Sequence, residues 1–557
     1  MNKSVIINDS ILLGDNHYME KSKGQSFIKG AAILGIAGLI VKIIGAVFRI
    51  PLANTIGSEG MSYYEVVYPY YSWLLVISSA GLPTAISKLV AERVTLNDYR
   101  GAKDVFNRAL ILLCGIGIVT TVIMFFGADM LANISANPKA ALSFRALSPA
   151  LLFVSIMCAY RGYLQGLQQM SGTAVSQVVE QVIKLVLGLS LAFALLPNGP
   201  EYAAMGALIG VAVSELVALV VIWFMARKSK RRIDELAKLP TPLLGSKLTN
   251  VTRSLLAIAI PITLGASISP LTGILDSAMI LRTLQFNLGF TLKESQTAYS
   301  LLRTNVTTLI NMPGVLTMSL AMSLVPAISA ARASKDASSM MSISRLGLKL
   351  ALVIGVPCAV GLFILGKPIM GMLYTSLNET ELLLAGDLMR TASLGVLFLS
   401  IVQSMTGVIQ GMGKPVIPVV NLFIGFILKL ITMLILMNIP QINIQGAAVS
   451  TVVCYAFAGI ADMIYAIRFS KMSVKLFDVF VKPIAASAVM GVICALLFNA
   501  VEARGHETTA TILAVGAAVI VYVVLIFALK MFSREELAMV PGGRKLTRVL
   551  YGGRKNG

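Results

Sequence analysis

Residues 160–189 read YRGYLQGLQQMSGTAVSQVVEQVIKLVLGL, and residues 405–434 read MTGVIQGMGKPVIPVVNLFIGFILKLITML. Setting Gly162 over Gly407 brings Gln165 over Gln410, Gly166 over Gly411 and Lys184 over Lys429. Upstream, Phe153 meets Phe398 and Ser155 meets Ser400 in the same register. Each copy closes one apolar segment, turns at GxxQG and enters a second apolar segment that carries a lysine. A chain that repeats itself in this way is built from two related halves.

The wider composition says what the halves are made of. Of 557 residues, 57% are hydrophobic and 13% charged, and the mean hydropathy is +0.82. Soluble domains carry about 25% charged residues. Apolar runs of about 20 residues, enough to cross a ~30 Å hydrocarbon core, recur along the chain. The expected fold class is therefore an all-α integral membrane protein. The alternating ten-residue segments of an outer-membrane barrel are missing. The net charge of +20 is read as cytoplasmic loops, not as a nucleic-acid face, which needs a soluble basic surface. Cys114, Cys158, Cys358, Cys454 and Cys494 sit in apolar runs without a CxxC pair, and His17 and His506 have no metal-ligand spacing.

Fourteen spans are expected, near 28–51, 63–90, 105–127, 143–167, 172–196, 203–226, 254–281, 298–329, 345–365, 387–410, 416–438, 444–468, 481–500 and 508–531. Lysine and arginine fall in alternate loops, as at Lys88–Arg108, RKSKRR (227–232), Arg332–Arg345 and Arg468–Lys475. Basic short loops stay inside, so both termini are expected in the cytoplasm of a plasma membrane. Residues 1–27 lack the pattern of a signal peptide and are expected as a loose cytoplasmic tail. The two GxxQG segments lie six spans apart, so the repeat is parallel, about an axis along the membrane normal. Two further echoes support it: LPTAISKLVA (82–91) with LVPAISAARA (324–333), Ala85 over Ala327, and MGALIGVAVS (205–214) with QGAAVSTVVC (445–454). The expected organisation is an N-lobe at 28–226, a basic linker at 227–253 and a C-lobe at 254–468. A helix pair at 469–531 and a basic tail at 532–557 complete it.

An ionisable side chain in the bilayer costs about 2.5–3.5 kcal/mol on insertion scales and needs a partner or a polar cavity. Lys42 and Arg49 lie seven residues apart on span 1, on one helical face. Glu65 opens span 2. Gln177, Glu180, Gln181 and Lys184 form one polar stripe on span 5, where Glu180 and Lys184 are spaced to pair along the helix. Glu215 lies on span 6, Asp276 and Arg282 on span 7, Arg303 on span 8, Lys429 on span 11 and Asp462 on span 12. Arg161 reads as a cytoplasmic anchor. Cations from both lobes would enclose a hydrated, positive cavity for an anion such as phosphate. No GxxxxGK[ST] loop or catalytic His/Cys cluster is present, so movement and not bond chemistry is the expected function.

Four stretches carry a family resemblance: KGAAILGIAGLIVKIIGAVFRIPLANTIGSEGMSYYEVVYPYY (29–71), SAGLPTAISKLVAE (79–92), YRGYLQGLQQM (160–170) and NMPGVLTMSLAMSLVPAIS (311–329). With them the chain resembles the polysaccharide-transporter branch of the MOP flippase superfamily, its SpoVB/YtgP-type members in Gram-positive bacteria and the related MurJ lipid II flippases. The resemblance implies two six-helix bundles in a V, with the last two helices forming a lipid-facing groove. It also implies a substrate with an isoprenoid tail, a pyrophosphate and a sugar head, flipped outward by alternating access. In MurJ-like proteins, arginines of span 1 and of the early second lobe line the cavity. Lys42, followed by Gly45, matches the first of these. The next falls at Phe48, one residue before Arg49, and the second-lobe arginine is Arg282 or Arg303. The family's acidic residue falls at Tyr63 or Tyr64, with Glu65 just beyond.

The expected protein is a non-enzymatic flippase for an undecaprenyl-pyrophosphate-linked precursor, lipid II first among them. Lys42 and Arg49, with Arg282 or Arg303, would hold the pyrophosphate. Glu65, Glu180, Lys184 and Lys429 would shape the polar interior, and Gly162, Gly166, Gly407 and Gly411 would serve as hinge turns. Asp276 and Asp462 are candidates for coupling to Na+ or H+, with the membrane potential as the other energy source; no cofactor or metal is expected. Expected partners are the lipid-linked substrate, the bilayer and cell-wall synthesis proteins. Two rivals remain: a cation-coupled drug exporter, which wants carboxylates to dominate the cavity, and a non-transporting scaffold for cell-wall synthases.

Overall fold

The computed structural model describes residues 10–238, 251–473, 475–505, 507–533 and 536. Residues 239–250 of the expected linker at 227–253 and most of the basic tail at 532–557 lie outside the described residues. Every regular element among those described is helical. Among the described residues, thirteen helical runs are long and apolar enough to cross a bilayer. The first, Ile40–Thr95, has 56 residues. It covers about 84 Å at 1.5 Å per residue, against a core of ~30 Å. It takes in the second expected span and the end of the first, and Gly57 (φ 66°, ψ −177°) breaks it between them. That backbone region is essentially restricted to glycine. Each of the other twelve runs overlaps one of the twelve later spans.

In chain order the long helices are α1 (Ser10–Ser79), α2 (Leu82–Thr95), α3 (Tyr99–Phe126), α4 (Pro149–Gly166), α5 (Met170–Leu195), α6 (Pro200–Leu236) and α7 (Val251–Arg282). After them come α8 (Leu292–Ser300), α9 (Thr307–Ala333), α10 (Ala337–Leu373), α11 (Glu379–Gly411), α12 (Val416–Met437), α13 (Gln445–Ser470), α14 (Lys482–Glu502) and α15 (Glu507–Ala528). The polar segment expected as a loose tail is already helical from Ser10; it contains no proline to stop a helix. The basic run 227–232 is likewise not a loop. It prolongs α6, whose 37 residues reach about 55 Å and so project beyond the hydrocarbon. Arg227 stacks over Trp223 at 4.0 Å there.

Contacts divide the chain into two units. Unit 1 holds 1–48, 66–133 and 138–273; unit 2 holds 49–65, 134–137 and 274–557. These units follow packing and not the boundaries expected from the repeat. The first part of α7 stays with unit 1 because Gly81 lets the backbone of Ala259 approach so closely that a Cβ would meet its carbonyl oxygen at 2.2 Å. The core of unit 1 gathers Ile86, Phe106, Leu113, Tyr163, Ile222 and Leu255. In unit 2, Ile328, Leu348, Met405, Ile409 and Ala466 form one core. A second joins α10, α14 and α15 through Val353, Met490 and Tyr522, and the Tyr522 hydroxyl donates to the Val353 carbonyl at 2.9 Å. Large apolar side chains on the outer faces, such as Ile111 at 73% and Phe126 at 76% exposure, would be a hazard in water and suit lipid.

The repeat is visible in how each unit packs. A Cβ on Gly117 would meet Ser155, and one on Gly355 would meet Ser400, each at 2.8 Å. Gly206 lies against Leu191 as Gly446 lies against Leu436, in the register that the sequence echo gave. The Ala-Ile-Ser echo is different. Gly162 abuts Pro83 and Gly166 abuts Ser87 and Val90, whereas Gly407 abuts Ala321 and Gly411 abuts Val325 and Ile328. Ser87 therefore corresponds to Val325, one helical turn from the position that the matching letters indicate.

Candidate functional site

The four glycines expected as hinge turns are helical residues near the ends of α4 and α11. Their missing side chains permit the close approaches just described. The turn itself lies beyond them and is the same in both copies. Leu167 N–H donates to Tyr163 O and Gln169 N–H to Leu164 O; Met412 N–H donates to Val408 O and Lys414 N–H to Ile409 O. The residue between is left-handed each time, Gln168 at φ 60° and Gly413 at φ 74°. This is the backbone-capped helix end that usually takes glycine.

In unit 1 this geometry sets the end of α4 against the start of α5. Arg161 was expected as a cytoplasmic anchor, but its side chain is 13% exposed. It donates to Glu180 Oε2 at 3.0 Å and Ser176 Oγ at 3.2 Å. Glu180 Oε1 accepts from Gln181 at 3.0 Å. Arg161 thus engages Glu180, because the polar stripe of α5 faces α4. Lys184 Nζ reaches across to α1, donating to Tyr68 Oη at 3.0 Å and lying 5.2 Å from the Phe48 ring centre. Glu215 on α6 is buried and faces Glu180, Arg161 and Lys184. Two cations and two carboxylates leave this cluster formally neutral.

Unit 2 differs. Arg49 bonds Glu65 Oε1 at 2.5 Å, and Glu65, expected at an interface, is 1% exposed. Tyr299 Oη donates to the Glu65 carbonyl at 3.3 Å. One turn on, Arg303 sits in a π-type turn, Leu301–Val306, where α8 passes into α9, a distortion frequent at functional sites. Its Nη1 lies 3.8 Å from Asp276 Oδ2, and the same oxygen accepts from Lys429 Nζ at 2.6 Å. Arg303 Nε and Asp276 Oδ1 are buried without a hydrogen-bond partner among the described residues. Arg49, Arg303 and Lys429 against Glu65 and Asp276 leave one positive charge in excess. Asp276, expected as a coupling site, is already held by Lys429.

The other candidates lie apart from these pairs. Lys42 is exposed on α1, three residues before Gly45, which packs toward Gln181. Arg282 is exposed and donates to the Ile134 carbonyl at 2.8 Å. Asp462 is fully buried, between Asn421 and Thr406. Sequence reasoning missed Lys349, 4% exposed on α10, whose Nζ bonds Glu536 at 2.8 Å. A lysine inside the apolar run GLKLALVIG was the available signal.

The polysaccharide biosynthesis protein family matches residues 27–331, more than half of the chain. The chain belongs to this family. A MatE match covers residues 304–435 of the chain. In Bacillus subtilis (strain 168) it is 28% identical to the uncharacterized membrane protein YabM, over 95% of this chain and 97% of YabM. It is 26% identical to stage V sporulation protein B, over 93% of this chain and 98% of the relative. With the lipid II flippase MurJ the figures are 28%, 79% and 82%. A solved structure of the lipid II flippase MurJ, in an inward closed conformation, superposes with a TM-score of 0.64 at 15% identity, over 89% of this chain and 98% of that one. An inward-facing multidrug resistance MATE family transporter of the MOP superfamily gives 0.64 at 15%, over 78% and 94%. The chain is thus a multi-pass membrane protein with the fold that the MATE and MurJ structures share, and one of its relatives is named a lipid II flippase.

Proposed function

We propose that the protein is a flippase that carries an undecaprenyl-pyrophosphate-linked cell-wall precursor, lipid II first, from the inner to the outer leaflet by alternating access. The observation that carries this reading is the excess positive charge in unit 2 around half-buried Arg49 and Arg303 and buried Lys429. A cation with a buried, unused guanidinium N–H wants an anion, and a diphosphate supplies both charge and acceptors. The names of the relatives supply the lipid. In this proposal Arg303 takes the pyrophosphate, with Arg49 beside it on Glu65. Lys42 and Arg282 remain candidates from the sequence and the family resemblance. An inside-negative potential drives an anionic head outward by ~2.3 kcal/mol per charge per 100 mV. Both termini are placed in the cytoplasm.

The test is a head-group accessibility assay in reconstituted vesicles, comparing lipid II with other undecaprenyl-linked sugars. Protein-dependent exposure of lipid II, lost in Arg303→Ala, supports the proposal. Equal rates for protein-free and protein-containing vesicles with every such lipid end it. Proton-driven export of an organic cation would favour the exporter instead.

A further inference from the structure

Asp462 is the buried carboxylate whose surroundings the proposed flippase does not use. It lies at 0% exposure on α13, where α11 and α12 pack against that helix. Its Oδ1 accepts from Asn421 Nδ2 at 2.7 Å and its Oδ2 from Thr406 Oγ1 at 3.2 Å. Both partners are neutral. No described cation comes within salt-bridge distance of it, whereas Glu65 and Glu180 each have one and Asp276 has two. The charged groups of the neighbouring helices are engaged elsewhere. Lys429 on α12 holds Asp276, Lys349 on α10 holds Glu536, and Arg390 on α11 is paired with Asp387. On α13 itself, Tyr465 stacks on Phe469, and Arg468 is exposed.

The repeat shows that this arrangement is particular to one copy. By the register of the turns, Thr406 and Asn421 correspond to Arg161 and Ser176, which bond to each other in unit 1. By the register of Gly206 and Gly446, Asp462 corresponds to Ile222. One copy therefore carries a cation that its own helices neutralise. The other has Thr406 in the place of that cation and Asp462 in the place of Ile222.

A buried carboxylate without a countercharge is costly as an anion. Two neutral donors lower that cost without removing it, so two protonation states lie within reach of each other. When the proton sits on Oδ2, Thr406 Oγ1 can turn from donor to acceptor with no movement of the chain. Asn421 presents its amide nitrogen, not its oxygen, which suits a proton better than a metal ion with its need for several oxygens. We propose that Asp462, Asn421 and Thr406 form a proton-binding site in unit 2, which takes up and releases one proton during transport. This deepens the question of coupling that the flippase reading leaves open, and settles it on Asp462 and not on Asp276.

The experiment uses the full-length protein in vesicles without substrate, followed by pH-difference infrared spectroscopy. The expected result is a carbonyl band from a buried, protonated carboxyl that grows on acidification, is lost in Asp462→Asn and returns in Asp462→Glu. Asn421→Leu keeps the acid but removes one donor. It should move the midpoint of the band by about one pH unit, the tenfold change that one charge-assisted hydrogen bond carries. A band that persists in Asp462→Asn, a midpoint unmoved in Asn421→Leu, or a signal that follows sodium in place of choline and ignores pH would each overturn the site. Vesicles that fail to expose lipid II while the band still titrates would sink the flippase reading and leave this one standing.

Discussion

Lys184 and Lys429 hold equivalent places in the repeat yet meet different company. Lys184 bonds a tyrosine hydroxyl and lies over a phenylalanine ring; Lys429 bonds Asp276. Removing one member of a buried pair strands the other and costs about 3–5 kcal/mol. Lys429→Met should therefore lower thermal stability in detergent sharply, and adding Asp276→Asn should recover most of the loss. A double variant no better than the single one would show that the pair is not the cause. Lys184→Met should also destabilise, since it removes one of the two cations that balance Glu180 and Glu215 as well as the donor to Tyr68. For Arg303→Ala, with charge-assisted bonds worth about 1.5–3 kcal/mol, flipping should slow by roughly tenfold or more while membrane insertion is kept. Sequence showed which charges were anomalous but not how they pair. Arg161 with Glu180, Lys184 with Tyr68 and Asp276 with Lys429 are joined across 19, 116 and 153 positions, and no local spacing rule reaches that far.

At the scale of elements, the doubled turn between α4 and α5 and between α11 and α12 gives a sharper test. The left-handed position is Gln168 in one copy and Gly413 in the other. A side chain there costs roughly 1–2 kcal/mol that glycine avoids. Gln168→Gly should raise the melting temperature or leave it level. Gly413→Gln should lower it, since any Cβ would also collide with the Arg332 guanidinium that donates to the Met412 carbonyl. Reversed signs would mean that the two turns are not equivalent. Gly166→Val and Gly411→Val should both destabilise by about 1–3 kcal/mol through overpacking against Val90 and Ile328. Helix positions were legible because a bilayer imposes a length on each apolar run. The GxxQG repeat was legible because close packing needs glycine at fixed places. The Ala-Ile-Ser match misled by one turn: small residues recur every fourth place along any tightly packed helix, so a short run of them fixes a face better than a register.

For the whole molecule, the alternation of basic loops predicts sidedness. In a cysteine-free background, single cysteines at Lys335 and Asn198 should react with a membrane-impermeant thiol reagent from opposite sides in intact cells, Asn198 from outside. Labelling of both from one side would overturn the orientation. The five native cysteines, buried or half-buried among the helices, make such a background reasonable. Gly57 divides α1 into two stretches that are otherwise one continuous helix. Gly57→Ala should reduce the folded yield, since the backbone there excludes a side chain. The ion pair between Lys349 and Glu536 reaches further. Glu536 sits past the last apolar run, where Ser533 caps it by a reciprocal hydrogen bond, so the short stretch after α15 is a fastening and not a loose end. Anyone trimming the protein for crystallisation, or fusing a fluorescent reporter directly behind Met531, would remove the carboxylate that the Lys349 ammonium of α10 bonds, and should place the junction further downstream.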